Sequence, residues 1–171
     1  VSGINVAAST AISREGSTFW ISKIIPVPAK HQVLAKFLNG FSIACLGVIM
    51  TAIILAIFIM PVPSVILITL LGFIGSIPLT AFNLMIDMAK PKLIWNNPQE
   101  AVKQNMNGLL GMLVSFLILG VLTVAVVIMI NAGIYRWAIY LILALLMSGL
   151  GILSIMMMIN SAEKRYNRIE V

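Results

Sequence analysis

Side chains that could take part in chemistry are few in this sequence, and most of them lie in two short polar segments. The first segment carries Arg14, Glu15 and Lys23, and the second carries Glu100 and Lys103. Side chains of this kind form ion pairs and charge-assisted hydrogen bonds, which hold one surface against another. These residue types and spacings therefore favour recognition of a partner over the making or breaking of bonds.

Neither a catalytic centre nor a metal site is predicted. His31 is the only histidine and Cys45 the only cysteine, and no acidic cluster lies near His31. A zinc site takes about four His, Cys or carboxylate ligands, and nucleophilic catalysis needs a nucleophile with a base beside it. The phosphate-binding pattern G-x-x-x-x-G-K-[ST] does not occur in the sequence. We expect that this chain, taken alone, is not an enzyme and binds no metal or cofactor.

The composition indicates an integral membrane protein. Of the 171 residues, 61% are hydrophobic and 9% are charged, and the mean hydropathy is +1.10. A soluble domain is about 45–50% apolar and about 25% charged, because it must cover its outside with polar groups. Disordered chains are poor in apolar residues and rich in charge. Both of these classes are therefore excluded.

Long uncharged stretches predict four transmembrane helices. No charged residue occurs at 37–86, 104–135 or 137–162, and one crossing needs about 20 apolar residues. The Pro61-Val62-Pro63 run ends a helix and divides the first stretch in two. The expected fold class is all-α, a polytopic membrane helical bundle. The predicted spans are 37–60, 64–86, 109–131 and 137–160. Because none of them holds an Asp, Glu, Lys, Arg or His side chain, an ion-coupled pump within this piece is disfavoured.

Basic residues are concentrated before the first span, between the second and third spans, and after the fourth. The other two connections hold only Arg136. By the positive-inside rule, the three basic segments and the C-terminus are expected in the cytoplasm, with the chain in the plasma membrane. The net charge of +6 is then a topology signal, and no nucleic-acid partner is expected. The predicted segments outside the spans are the end of a preceding, truncated transmembrane helix (1–12), a cytoplasmic amphipathic segment (13–36), a cytoplasmic loop and helix start (87–108) and a cytoplasmic tail (161–171).

The first polar segment contains a short amphipathic helix. Trp20, Ile24 and Val27 recur at helical spacing on one face, while Lys23 lies on another. One interpretation is an interfacial helix that lies under the lipid headgroups with Trp20 as its anchor. The other is that this helix presents Arg14 and Glu15 to a cytoplasmic partner.

The second polar segment predicts a helix start. Asn97, Pro98 and Glu100 fit the N-cap, N1 and N3 positions, and no breaker follows before Asn131. A single helix over 98–131 would be about 50 Å long, so its first turns would project beyond the hydrocarbon core. The projecting turns form either a solvated helix end or a contact with a partner or gate.

Within the second span, Gly72 and Gly75 precede Pro78. Glycine and proline weaken a helix at the positions they occupy. The second span is therefore predicted to be the kinked or mobile helix of the bundle.

Both polar segments carry a family resemblance. The run Ala11-Ile12-Ser13-Arg14-Glu15-Gly16, followed by Phe19-Trp20, Lys23 and the pair Pro26 and Pro28, resembles the cytoplasmic segment of bacterial ABC transporter permeases of the second exporter type. The run from Trp95 to Asn105 is similar to the second cytoplasmic loop of such permeases. The resemblance covers nearly the whole chain, as the C-terminal portion of a permease.

The resemblance implies a coupling helix and a separate cytoplasmic ABC ATPase, on which ATP and Mg would be bound. The other implied partners are the lipid bilayer and either the missing N-terminal part of the same permease or a second copy. The implied ATPase contacts are Ser13, Arg14, Glu15, Gly16, Phe19, Trp20 and Lys23. The implied second contact or gate is formed by Asn97, Pro98, Gln99, Glu100 and Lys103.

Two further classes stay open. One is part of a secondary transporter, whose binding site would lie near the midplane in a missing half. The other is a membrane scaffold that assembles partners without transporting anything.

Overall fold

The computed structural model describes residues 5–97, 99–166 and 169, and over these ranges the chain is a bundle of helices without strands. Four stretches are long and apolar enough to cross a membrane, as the composition predicts. The α-helices are α1 (Val6–Ser9), α2 (Phe19–Ile24), α3 (Ala29–Phe58), α4 (Val62–Ala89), α5 (Glu100–Lys103), α6 (Met106–Asn131) and α7 (Arg136–Tyr166), and a 3-10 helix spans Ser13–Thr18.

The long helices run up and down, so their polar connections meet at one end of the bundle. We call this the polar end; α3 and α6 begin there, and α4 and α7 end there. The opposite end holds only the short linkers 59–61 and 132–135. Among the described residues, every charged side chain except that of Arg136 belongs to the polar end.

Helix α4 is the central element. It packs against α3, α6, α7 and α1, and a run of its residues from Ser76 to Met88 is largely buried. The other three long helices are mostly exposed along their apolar outer faces, which a bilayer would cover. The bundle is therefore organised around the second half of α4.

Glycine residues allow close approach of the helices to α4. Gly72 faces Val48 of α3, and Gly75 faces Met147 of α7. Helix α4 continues without a break through Pro78, which lies against Gly151 of α7. The predicted mobility of this helix stays a prediction, while the structure gives these small residues a packing role.

The helix boundaries differ from the predicted ones at two places. Helix α4 extends to Ala89, so Asp87 lies on a helix and not in the following loop. The prediction of one continuous helix over 98–131 is wrong, because Asn105 is extended and interrupts it. The Asn105 side chain accepts a hydrogen bond from the Asn107 backbone N–H (3.0 Å) and caps α6. Its amide also donates to the Ala101 carbonyl (3.0 Å), which fastens α5 to α6.

The segment 1–12 was predicted to end a transmembrane helix, but its described part contains only the four-residue helix α1. Helix α1 packs against α3, α4 and α6. It can approach them closely because Ala8 meets Gly40 and Ser9 meets Gly111. Residues 1–4 lie outside the described ranges.

The apolar core is concentrated next to the polar end. Its buried members come from the 3-10 segment, α2, α3, α4 and α7, so the core joins the short helix to three of the long ones. They include Ile12, Phe19, Val33, Phe37, Leu84, Met88, Met158 and Tyr166.

We expect Gly111→Ala to destabilise the protein, with Gly120→Ala on the same helix as its control. A Cβ atom at Gly111 would overlap Asn83 Oδ1 and lie 3.0 Å from Ser9 Cβ, whereas nothing lies within 4 Å of the position at Gly120. Overpacking costs about 1–3 kcal/mol, while alanine in place of an exposed helical glycine gains up to about 1 kcal/mol. Thermal unfolding in detergent measures both effects. Equal melting temperatures for the two variants would show that α1 and α4 do not pack on α6 as described.

Candidate functional site at the polar end

A buried carboxylate organises the polar end. Asp87 has no exposed surface; its Oδ2 atom accepts hydrogen bonds from the backbone N–H groups of Ile12 (2.6 Å) and Ser13 (3.0 Å). Its Oδ1 atom accepts from the Ser13 hydroxyl and from the Asn107 amide (3.0 Å for the latter). We call Asp87, Ser13 and Asn107 the Asp87 hub. It joins the start of the 3-10 helix to the end of α4 and the start of α6.

The loop after α4 is fastened to the same hub. The Ser13 hydroxyl accepts from the Lys92 backbone N–H (2.9 Å), and the Trp95 indole donates to the Ser13 carbonyl (3.0 Å). The Asn107 amide also donates to the Lys90 carbonyl (2.8 Å). Backbone N–H and C=O groups that follow the end of α4 are thus hydrogen-bonded by side chains, as burial requires.

Trp95 packs directly on a glycine of the 3-10 helix. Gly16 has a φ of 51°, in the left-handed region that favours glycine. A Cβ atom there would lie 2.5 Å from the Trp95 ring. Glycine is therefore required at this position twice, once by the backbone angle and once by the ring.

The segment 13–24 is also attached to α3. Lys36 forms an ion pair with Glu15, and the Ser22 hydroxyl donates to the same carboxylate (3.0 Å). The Gln32 amide donates to the Ser22 carbonyl (2.9 Å). These contacts connect both halves of the segment to the first turns of α3.

The attachment to α7 is aromatic and polar. The Phe19 and Tyr166 rings meet edge to face with their centroids 5.1 Å apart. The Tyr166 hydroxyl donates to the Gln32 side-chain carbonyl (2.9 Å), which links α7 to α3 beneath α2. Both rings are buried, so α2 lies on α3 and α7 through an apolar contact with a satisfied polar rim.

The outer face of α2 is apolar and exposed. Trp20 is 51% and Ile24 is 70% exposed, and Ile21 and Ile25 are exposed beside them. The predicted helix is present over Phe19–Ile24 but ends before Val27, because Ile25 is extended. Its apolar face points outward while Phe19 occupies the interior. An apolar helix face that is exposed on the protein surface is typical of a helix that contacts the lipid interface or another protein.

The contacts that the resemblance implies divide into two groups. Ser13, Gly16 and Phe19 are buried by the chain itself, because the Asp87 hub, Trp95 and Tyr166 cover them. They are therefore not available as surface contacts and act as supports for the segment. The residues that keep exposed surface are Arg14, Glu15, Trp20 and Lys23, of which Glu15 is half-buried.

The second predicted contact lies beside the first. Helix α5 packs against the 3-10 helix; Gln99 and Lys103 are exposed and Glu100 is half-buried. The Asn97 side chain accepts from the Gln99 backbone N–H (3.0 Å). Asn97 is not the N-cap that was predicted, because α5 begins at Glu100 with Gln99 as its N-cap. The predicted N1 residue, Pro98, lies outside the described residues.

Sequence reasoning missed Asp87, Asn107 and Trp95. Asp87 was assigned to a solvated loop because it borders the uncharged stretch. A carboxylate at the border of an apolar helix is costly to bury unless hydrogen-bond donors surround it. The position of Asp87 directly after an uncharged stretch was therefore the one sign in the sequence that it needs donors. The donors come from residues 74 and 75 positions away, so no local pattern could identify them.

Over the described ranges, no group of three or more His, Cys, Asp or Glu side chains is placed to hold a metal ion. His31 is exposed at the start of α3, and Cys45 is half-buried within it.

Comparisons with known proteins give no match: no family model, no curated protein and no solved structure is significantly similar to this chain. Functional inference therefore depends on the residues and geometry of the polar end.

We expect Asp87→Ala to destabilise the protein by about 3 kcal/mol or more, because each buried donor left without an acceptor costs about 1–3 kcal/mol. The orphaned donors would be those of Ile12, Ser13 and Asn107. Glu163→Ala is the control, since Glu163 is an exposed carboxylate on α7, and it should change stability by less than about 0.5 kcal/mol. Thermal unfolding gives the first readout, and faster tryptic cleavage after Arg14 gives the second. Equal behaviour of the two variants would contradict the hub.

Gly16→Ala and Gly133→Ala form a second matched pair. Both glycines have positive φ (51° and 71°), so alanine is strained at both positions. Only the Gly16 variant must also displace Trp95, since nothing lies within 4 Å of the Gly133 position. We expect Gly16→Ala to be more destabilising by about 1–3 kcal/mol and to change the tryptophan emission spectrum. The contact with Trp95 would be refuted if the two variants unfolded alike with unchanged emission.

Proposed function

We propose that this chain is the membrane-spanning permease part of an ATP-driven ABC exporter, with α2 as the element that docks on a separate ATPase. The observation that carries the proposal is that one short exposed segment, residues 13–24, is attached to all four long helices. Through Lys36 it is bound to α3, through Asp87 to α4 and α6, and through Tyr166 to α7.

Such an attachment favours transmission of movement. Side chains in the supporting contacts are buried, as at Asp87 and Tyr166, or half-buried, as at Lys36, so a shift of the segment would move the helix ends. A partner that pushes on α2 would therefore act on the whole bundle. Energy for the push must come from the partner, because this chain carries no nucleotide-binding motif; ATP and Mg would be bound on the ATPase subunit.

The exposed surface of α2 fits a docking element. Trp20, Ile21 and Ile24 form its apolar centre, and Lys23 is exposed on the same helix. An exposed aromatic anchor is typical of the energetic centre of a protein interface. Helix α5 packs against the 3-10 helix, so its exposed residues Gln99 and Lys103 extend the same surface.

In this proposal the polar end faces the cytoplasm of a cell whose plasma membrane holds the chain, so the C-terminus is cytoplasmic. The remaining helices of the translocation path would come from another part of the permease or from a second copy. The exposed apolar faces of α3 and α6 offer room for them.

The same apolar face of α2 also suits a membrane scaffold whose short helix is anchored in the lipid interface. Trp20 and its isoleucine neighbours are the residue types that lie at headgroup level. This second function predicts no ATPase partner, so one experiment separates the two.

We expect Trp20→Ala to release an ATPase that co-purifies with the wild-type protein, while Trp137→Ala retains it. The two tryptophans are similarly exposed (51% and 59%) but lie at opposite ends of the bundle. Loss of an interface anchor costs about 2 kcal/mol or more, which is roughly thirtyfold in affinity. The measurement is tagged purification of the full-length protein from its own membranes in mild detergent, with the P-loop ATPase quantified by mass spectrometry and by ATP hydrolysis.

A wild-type preparation without any ATPase would refute the exporter and favour the scaffold. An ATPase that stays equally bound in both variants would refute α2 as the docking element while leaving an ATPase partner in place.

A further inference from the structure

A cleft of about 750 Å³ lies at the polar end beside the end of α4. Its walls come from the last turn of α4, the loop that follows, and the last turn of α7. Two of its lining residues are cations, Lys90 and Arg165, and most of the others are apolar, among them Met88, Leu93 and Trp95. The cleft thus combines a cationic rim with an apolar interior.

The position of the cleft relative to a bilayer follows from the lengths of the two helices that end at it. Helix α4 has 28 residues and α7 has 31, which at about 1.5 Å per residue gives roughly 42 Å and 46 Å. A bilayer is about 30 Å thick across its hydrocarbon and about 40–45 Å with its headgroups. Helices of this length reach from one headgroup layer to the other, so Lys90 and Arg165, at their ends, lie at headgroup level.

The charges that line the cleft have one sign. Among the described residues, no carboxylate lines the cleft. The ion pair found among these residues joins Lys36 to Glu15, and neither of them lines the cleft. Lys90 and Arg165 are both exposed. Cations at headgroup level attract the anionic lipids of a membrane, and apolar walls below them suit an acyl chain.

We propose that this cleft binds an anionic phospholipid, whose phosphate contacts Lys90 and Arg165 and whose first acyl carbons lie along Met88 and Leu93. The site is independent of the ATPase proposal. It borders the Asp87 hub, because the Lys90 carbonyl accepts a hydrogen bond from Asn107. A bound lipid therefore ties the end of α4 to the end of α7 next to the contacts that hold the short helix.

Trp95 provides a reporter within the cleft. In a variant with Trp20→Phe and Trp137→Phe, Trp95 is the only tryptophan left. The full chain is placed in phosphatidylcholine vesicles, and the lipid is exchanged stepwise for phosphatidylglycerol brominated near the headgroup end of its acyl chains. We expect stronger quenching by brominated phosphatidylglycerol than by brominated phosphatidylcholine, with a preference of about fivefold for each cation in contact.

The test variant is Lys90→Gln with Arg165→Gln, and its control is Lys30→Gln with Lys164→Gln. The four residues are exposed basic side chains at the polar end, and both pairs remove the same charge, but the control residues do not line the cleft. We expect the test variant to lose about fivefold or more of the preference and the control to keep it. Equal loss in both variants would refute the site and leave only attraction between a basic surface and an anionic membrane. Absence of any preference in the wild type would refute it as well.

Two further measurements make the proposal independent of the folding of the test variant. Native mass spectrometry of the wild-type protein should show phosphatidylglycerol retained where phosphatidylcholine is lost, and equal retention overturns the proposal. Inorganic phosphate in millimolar excess should leave the quenching by brominated phosphatidylglycerol unchanged. Displacement by phosphate alone would assign the cleft to a free anion and overturn the lipid as its ligand.

Discussion

The fold depends on the burial of one carboxylate. Asp87 would be too costly to remove from water by itself, and four donors from three residues, at the start of the 3-10 helix and the start of α6, offset that cost. Two of these donors are backbone N–H groups at the start of a short helix, which have no partner of their own within it. The carboxylate and the helix end thus satisfy each other, and neither could be buried alone. The contact of Ser13 with Trp95 adjoins that arrangement, and the contact of Phe19 with Tyr166 holds the other half of the segment.

This constraint gives the molecule two unlike ends. Next to the hub, the core residues of five elements pack closely and the polar side chains are hydrogen-bonded. Farther along, α6 is buried at Gly111 and Ser115 but is exposed along most of its remaining length. The well-packed end resists deformation, while the outer halves of the helices are free to meet lipid or other helices. A permease that receives force at one end and moves helices at the other would need this distribution of contacts.

Hydropathy and charge predicted the class of fold, because the cost of burying charge in a bilayer excludes charged residues from spans of known length. The same reasoning could not predict which of Phe19 and Trp20 is buried in the protein. An amphipathic pattern identifies apolar positions but does not distinguish a protein interior from lipid or a partner surface. Phe19 is fully buried against Tyr166, and Trp20 is half exposed. The helix break at Asn105 was missed because an asparagine can either cap a helix or lie within one, and the neighbouring residues do not distinguish the two cases. The sequence identified the segment and three of its buried residues, Ser13, Gly16 and Phe19, but not the distant residues Asp87, Trp95 and Tyr166 that contact them.

The hub also has a consequence for biogenesis. The N–H groups of Ile12 and Ser13 are paired with a carboxylate 75 and 74 residues farther along the chain, and Asn107 follows Asp87 by 20 more. At a ribosomal rate of about 5–20 residues per second, the early segment waits roughly 4–15 seconds for its partner. During that interval α3 and most of α4 are synthesised, while the early segment still lacks its contact with Asp87. Assembly of the polar end can therefore begin only after α4 has been made, and the contact with Tyr166 of α7 forms later still.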